Sequence, residues 1–156
     1  MNADADKLLR QAWRQFVADT GATEDRPYPA DQFGDLPELG DILGRLAADG
    51  TKRATCSALA QWDVPGKPLP APGDRRIVLD GAGRPLCIIE ITAVEVRPYN
   101  EVDAAFALDE GEDDRSLASW HRAHWPYFQR VLPALGVTPT EDMPVVCQWF
   151  RCVYRW

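Results

Sequence analysis

The chain has 156 residues, of which 46% are hydrophobic, and its formal net charge is −7 at pH 7. This length fits one domain with a core of useful size, and this hydrophobic content excludes an intrinsically disordered chain. No apolar run approaches the roughly 20 residues that a membrane-spanning helix needs. The acidic N-terminal residues lack a signal-peptide pattern, so we expect a cytoplasmic protein that does not act at a membrane. The net charge disfavours broad binding to long nucleic acids, but it does not exclude a local basic cleft.

The cysteine and histidine pattern argues against a metal centre. The four cysteines are Cys56, Cys87, Cys147 and Cys152. They include no Cys-x-x-Cys pair, and in the cytosol we expect them to be thiols. Only His121 and His124 could complete a zinc site, and we predict that they pack or form hydrogen bonds on one helix face instead.

The N-terminal half of the chain is predicted to contain two helices and one strand. Apolar residues at three-and-four spacing predict the helices, prolines mark the connecting segments, and glycines end the helices. The predicted segments are a helix over 4–20, a connector over 24–33, a helix over 35–48, a strand over 52–59 and a loop over 64–74.

The C-terminal half alternates strands with helical segments. We predict strands over 75–80, 86–96 and 145–154, a short helical or irregular piece over 99–107, and a helix over 117–132 that Pro126 interrupts or kinks. This order predicts an α+β fold with a small mixed β-barrel flanked by helices, and an open α+β sheet is the alternative. Residues 1–34 are expected to pack as a helix and connector on a domain formed by 35–156.

The sequence predicts different environments for Glu90 and for the acidic run near residue 110. Glu90 lies on a strand with apolar residues on both faces, so it is either partly buried in a central strand or an edge carboxylate paired with an arginine. Five carboxylates between Asp109 and Asp114 repel one another, and such a run normally lies in water.

The stretch Gly50 to Ser57 places two cations and two hydroxyls directly after a turn. In an extended strand Arg53, Thr55 and Ser57 share one face, and Lys52 belongs to the other. A bend at Gly50 would instead bring Lys52 and Thr55 towards one cavity. A surface hairpin with solvated cations is the alternative interpretation.

Three segments in fixed order resemble the ASCH domain family of PUA-like barrels. The first is Gly50-x-Lys52-x-x-Thr55, and the second is the strand region Gly83 to Val96. The third runs from Phe106-Ala107 through Glu110-Gly111-Glu112, Ser116-Leu117, Trp120 and His124 to the closing strand 143–153. The resemblance covers about residues 36–154 and implies a small barrel with a cleft between barrel and helices.

The resemblance implies a link to RNA and two hydrolytic activities. Longer bacterial members resemble nucleases of single-stranded RNA, and another branch resembles amidohydrolases that deacetylate N4-acetylcytidine. A lysine, a threonine three residues later and a downstream glutamate form the catalytic set of that branch, and Lys52, Thr55 and Glu110 match them. Lys52 would act as a cation, or as a base if its pKa fell, while Thr55 would supply or position a nucleophile.

The acidic loop and the Trp-His helix match the longer members, so RNA cleavage is our first hypothesis, with magnesium as the one cofactor considered. Deacetylation of a modified pyrimidine nucleoside, or RNA binding without catalysis, are the alternatives. Arginines would contact the phosphate, and tryptophans would stack on a base. The predicted nucleic-acid contacts are Arg53, Ser57, Trp62, Arg75 (or Arg76), Ser116, Trp120 and His124.

Overall fold

The computed structural model describes residues 3–156, so Met1 and Asn2, where the predicted segment 1–34 begins, lie outside the described residues. Within the described part the fold is mixed α+β. The α-helices are α1 (Ala3–Thr20), α2 (Pro37–Asp49), α3 (Ala104–Glu110) and α4 (Leu117–Val131). The strands are β1 (Ala30–Gln32), β2 (Ala54–Ala58), β3 (Arg75–Leu79), β4 (Pro85–Pro98) and β5 (Pro144–Arg155). They form one curled sheet in the order β1-β3-β4-β5-β2, which confirms the predicted fold class.

The chain divides into two compact units. One unit contains the described residues up to Gly50, with Arg75–Glu90 and Cys152–Trp156. The other, which we call the site unit, contains Thr51–Asp74 and Ile91–Arg151. The predicted division at residue 34 stays a prediction.

The first unit has a core between helix α1 and the strands. Trp13 and Phe16 of α1 are buried with Ile77 of β3 and Ile88 of β4, as the apolar stripe of α1 requires. β1 runs parallel to β3, although the sequence predicted only a connector there. Three residues beside prolines are too short a run to show the alternation that identifies a strand.

Glu90 is partly buried on a central strand, as one interpretation predicted, and it is also paired with an arginine, as the other predicted for an edge position. It lies opposite Arg75 across the antiparallel β3–β4 pair, and the Arg75 Nε donates to its carboxylate at 2.9 Å. The carboxylate is half-buried on β4, a strand between two others. The strand is therefore central, as predicted, and the charge is neutralised across the ladder.

The site unit has its core between α4, α3 and the β2–β5 pair. Phe106, Phe128 and Val145 are buried there. β2 runs antiparallel to β5, and its side chains alternate between buried and half-buried. Pro126 lies within α4 without ending it. Proline has no N–H to donate to the carbonyl four residues earlier, which is that of Arg122. Because Arg122 is exposed, water can hydrate this carbonyl instead.

Two further predictions concern the whole described chain. All four cysteines are thiols, as expected. Among the described residues, none of the helices combines the length and the apolar content needed to cross a bilayer.

Candidate functional site

Lys52 is buried at the start of the site unit. Its side chain is 1% exposed although it carries an ammonium group. The Nζ atom donates to the carbonyl of Ala54 at 2.8 Å, to Glu110 Oε1 at 3.3 Å and to Glu112 Oε1 at 2.6 Å. The three N–H groups of the ammonium therefore have three oxygen acceptors, which is the condition for burying such a charge.

The C-terminus of α3 positions the two glutamates around this ammonium. Glu110 is the last residue of α3, and Gly111 follows in the left-handed region with φ 68°. A Cβ on Gly111 would lie 2.3 Å from the carbonyl oxygen of Thr51, so only glycine allows the turn to pass this closely. The backbone N–H of Arg53 also donates to the carbonyl of Asp109 at 2.8 Å. The turn is thus fixed against the backbone that carries Lys52.

Helix α4 closes the other side of Glu110. Ser116 caps this helix by accepting a hydrogen bond from the N–H of Ser119 at 3.1 Å. Trp120 and His124, one turn apart, stack with ring centroids 4.1 Å apart. The indole N–H of Trp120 donates to Glu110 Oε2, and His124 Nε2 lies 3.0 Å from the same oxygen.

We call Lys52, Glu110, Glu112 and His124 the ion cluster. Glu112 is the most accessible of them, with 19% of its side chain exposed. Burial raises the pKa of the Glu110 carboxyl, but His124 and Lys52 outweigh it and lower that pKa to about 2. Burial lowers the pKa of His124, while Glu110 raises it above its ordinary value. The cluster therefore holds ionised groups of both signs that compensate one another.

Lys52 is a cation in this arrangement. Burial lowers its pKa, but Glu112 and Glu110 together raise it above that of a free lysine. A lysine acts as a base only when its pKa falls towards the working pH. The sequence-based alternative in which Lys52 is a neutral base is therefore wrong for this conformation, and its role as a cation is retained.

Thr55 does not share the face that Lys52 uses. Lys52, Ala54 and Cys56 are buried, whereas Arg53 and Thr55 are more exposed. This is the alternation of an extended strand, and Thr55 pairs with Gln148 of β5 in the ladder. Of the three predicted catalytic residues, Lys52 and Glu110 meet in the ion cluster. Thr55 lies on the opposite face of β2, which does not support a Lys52–Thr55 pair.

The predicted nucleic-acid contacts near β2 are accessible. The Arg53 side chain is 53% exposed and pairs with Asp109 at 2.9 Å. Trp62 is half-buried, and its indole N–H donates to the Ser57 hydroxyl at 2.8 Å. The ammonium of Lys67 lies 4.5 Å from the Trp62 ring centroid. Arg53 is thus an accessible cation, whereas the half-buried Trp62 ring already has the Lys67 ammonium over it.

Three other predicted contacts have structural roles. The Arg75 guanidinium, in the first unit, is held by Glu90 and by the Tyr28 hydroxyl at 3.3 Å. Trp120 is 4% exposed and stacks on His124, so the free stacking surface predicted there does not exist in this conformation. Both ring nitrogens of His124 already have partners, because Nδ1 contacts the carbonyl of Trp120 at 2.9 Å.

A small hollow lies beside the ion cluster, and we call it the α4 hollow. Its enclosed volume is about 20 Å³, which is room for roughly one water molecule and far below the roughly 300–1,000 Å³ typical of sites for drug-sized ligands. It is lined by Glu112, Asp113, Ser116, Ser119 and Trp120 with two alanines, Ala107 and Ala123. No lysine or arginine belongs to this lining among the described residues. This lining suits an uncharged or amine-bearing group better than a phosphate, and the volume admits the polar edge of such a group rather than a whole base.

Three members of the ion cluster are also of metal-ligating type. One ligand atom from each of Glu110, Glu112 and His124 lies within 4.8 Å of the others. These donors would suit a transition metal better than magnesium, which prefers oxygen ligands and retained waters. The Lys52 ammonium, however, contacts both carboxylates.

The sequence analysis gave Glu112 no role, and only the family resemblance placed Glu110 at the site, because the acidic run alone favours a solvent-exposed carboxylate there. Within the acidic run, repulsion predicts exposure, and Asp113 and Asp114 are indeed exposed. Glu110 and Glu112 differ because a buried ammonium, 58 and 60 residues away along the chain, compensates their charge. The one local signal was Glu110-Gly111-Glu112, in which the glycine allows a tight turn with a carboxylate on each side.

The comparisons with known proteins identify the family of the chain. The ASCH domain family model matches residues 29–154. The crystal structure of an ASCH domain from Lactobacillus crispatus JV V101 has a TM-score of 0.85 at 32% identity, covering 96% of each chain. That of a protein from Enterococcus faecalis V583 has a TM-score of 0.84 at 34% identity, covering 96% of this chain and 95% of the other. No curated protein matches the chain. The chain therefore belongs to the ASCH domain family, whose PUA-like fold is often linked to RNA binding.

Proposed function

We propose that the protein binds single-stranded RNA, places the amine edge of one base against the α4 hollow and cleaves the adjoining phosphodiester bond. The observation that carries this proposal is that the buried ion cluster reaches the hollow through Glu112. Clusters of buried charges with shifted pKa values occur preferentially at functional sites. A ligand in the hollow would contact Glu112 first, with Lys52 and Glu110 behind it.

The lining of the hollow supports a base rather than a phosphate. Glu112 and Asp113 contribute carboxylates, and Ser116 and Ser119 contribute hydroxyls. A carboxylate accepts a hydrogen bond from the exocyclic amine of cytosine, whereas it repels a phosphate. The phosphate would lie outside, where Arg53 is exposed and has donors beyond its bond to Asp109.

Glu112 would serve as the general base of the cleavage. Its carboxylate would accept the proton of the ribose 2′-hydroxyl while that oxygen bonds to phosphorus. The bond from phosphorus to the 5′-oxygen would break, and water would protonate the leaving oxygen. The products are a 2′,3′-cyclic phosphate and a 5′-hydroxyl end. Lys52 keeps Glu110 as its partner throughout, so the cluster does not have to reorganise.

The test is a cleavage assay on a fluorescent single-stranded RNA that contains cytidines. We expect the wild type to cut the RNA, and Glu112→Gln to be slower by about 100-fold or more, the lower range for loss of a general base. The matched control, Glu141→Gln, removes an exposed carboxylate of the same unit and should cleave like the wild type. An RNA with 2′-deoxycytidines should resist. RNA that stays intact with and without magnesium would refute cleavage.

The absence of cations from the described lining favours a second candidate, deacetylation of N4-acetylcytidine. This ligand is small and neutral, so neither the lining nor the net charge of −7 opposes its binding. Water would add to the acetyl carbonyl, the bond from that carbon to N4 would break, and acetate and cytidine would leave.

Incubation of the two substrates side by side separates the candidates. Cytidine and acetate detected by chromatography, with intact RNA, would favour the amidohydrolase. RNA binding that survives Lys52→Met, with no turnover of either substrate, would favour a reader without catalysis.

A further inference from the structure

The ion cluster contains a ligand set of the kind that binds divalent transition metals. Glu110, Glu112 and His124 offer two carboxylates and one imidazole, with one ligand atom from each within 4.8 Å of the others. Zinc is bound in proteins by these groups at about 2.0–2.2 Å, and sites with nitrogen and oxygen donors also bind other divalent first-row metals such as cobalt. The three residues come from the end of α3, from the turn after it and from α4, so the fold itself brings the donors together.

The ammonium of Lys52 already neutralises the two carboxylates of this set. Its Nζ lies 2.6 Å from Glu112 Oε1 and 3.3 Å from Glu110 Oε1, and the side chain is 1% exposed. A divalent ion that bound the same oxygens would lie against this ammonium. At about 4 Å two like charges repel strongly in a protein interior, where water screens them little.

We infer that Lys52 is the resident cation of this set, and that Glu110, Glu112 and His124 form a latent divalent-metal site that opens when the ammonium is removed. With Lys52 present, two positive charges face the two carboxylates: the ammonium, and the His124 imidazolium, whose N–H groups donate to Glu110 and to the Trp120 carbonyl. No further cation is then accommodated. Without the ammonium, a divalent ion balances the two carboxylates, and His124 releases its Nε2 proton to water and becomes a neutral ligand. This inference concerns the cation alone and holds whichever ligand occupies the α4 hollow.

A direct consequence is that the wild-type cluster works without a metal. Metal ions serve active sites as fixed positive charges that stabilise developing negative charge. Lys52 supplies such a charge permanently, at the position where two carboxylates converge. A chelator should therefore leave the melting temperature of the wild-type protein unchanged.

The test is a titration of metal-free protein with Co²⁺, followed by its visible absorption and by calorimetry. Lys52→Ala should bind one Co²⁺ at least tenfold more tightly than the wild type. The double variant Lys52→Ala/Glu112→Gln should lose this gain, because it lacks one ligand. Lys7→Ala, which removes an exposed lysine of α1, is the matched control and should behave like the wild type. Equal binding by wild type and Lys52→Ala would overturn the inference, as would a folded Lys52→Ala that binds nothing.

The variant leaves two buried carboxylates without their cation and could unfold. Melting curves with and without Zn²⁺ keep the inference testable, because a metal that binds only the folded state raises the melting temperature. Zn²⁺ should raise it for Lys52→Ala and not for the wild type or for the double variant. A Lys52→Ala protein that folds neither with nor without Zn²⁺ or Co²⁺ also counts against the inference, since a filled site restores the charge balance.

Discussion

Replacing Glu110 by glutamine tests whether the ion cluster is held together by charge. The substitution keeps the shape of the side chain and removes the carboxylate that contacts Lys52, Trp120 and His124. Of its two carboxylate partners Lys52 would then retain Glu112, and His124 would lose the carboxylate that it contacts. Removing one partner of a buried ion pair costs about 3–5 kcal/mol, and the amide oxygen of glutamine recovers part of this through a hydrogen bond. We therefore expect a loss of about 3 kcal/mol in the free energy of unfolding.

Urea unfolding at pH 7, followed by circular dichroism, measures this loss. In a domain of this size about 3 kcal/mol corresponds to a fall of roughly 6–12 °C in melting temperature. Glu141→Gln, at an exposed position, should change the free energy of unfolding by less than about 0.5 kcal/mol. A Glu110→Gln protein as stable as this control would refute the reasoning, because the buried charges would then not depend on one another.

Two further predictions concern backbone turns. Gly111→Ala should destabilise the protein by more than about 1 kcal/mol in the same assay, because the added Cβ would lie 2.3 Å from the Thr51 carbonyl oxygen in a left-handed turn. Gly136→Ala, also left-handed but with open space around it, is the control that isolates the clash. Asp80 is buried, which raises its pKa, but hydrogen bonds from Arg84 and Ala82 outweigh burial and lower it. The ionised carboxylate therefore stabilises the fold above the unfolded pKa of about 3.9, and this stabilisation is lost as the pH falls through the folded pKa. Asp80→Asn should lower the free energy of unfolding at pH 7, and the gap between variant and wild type should shrink towards pH 3. An equal gap at both pH values would contradict this.

The sequence predicted the elements whose residues carry their own pattern. The apolar stripe of α1 and the apolar residues on both faces of β4 lead directly to a buried helix face and a central strand. The turn at Gly50 is a left-handed helix end, as the Asp49-Gly50 pair indicated. The short strand β1 was not predicted, because three residues are too few to show the alternation of a strand. Its pairing with β3 also depends on contacts that are distant in the sequence.

The site was predictable only in part. Lys52 and Glu110 came from the family resemblance, and their contact spans 58 residues, which no local pattern reports. Glu110 and Glu112 are buried or half-buried because other elements bring a lysine and a histidine to them. The acidic run taken alone contains no sign of these partners, and it therefore predicted solvent-exposed side chains for both glutamates. The position of Thr55, by contrast, followed from simple alternation along β2.

The most direct test of the account is the indole N–H resonance of Trp120 in the ¹⁵N spectrum of the protein. This group donates to Glu110, and its ring lines the α4 hollow. The Trp120 signal is assigned as the one that disappears from the spectrum of Trp120→Phe. During titration with a short cytidine-rich single-stranded RNA, we expect this signal to shift and the shift to saturate. The signal of Trp13, in the core of the first unit, should stay in place. RNA binding that saturates without moving the Trp120 signal, or no binding at all, would contradict it.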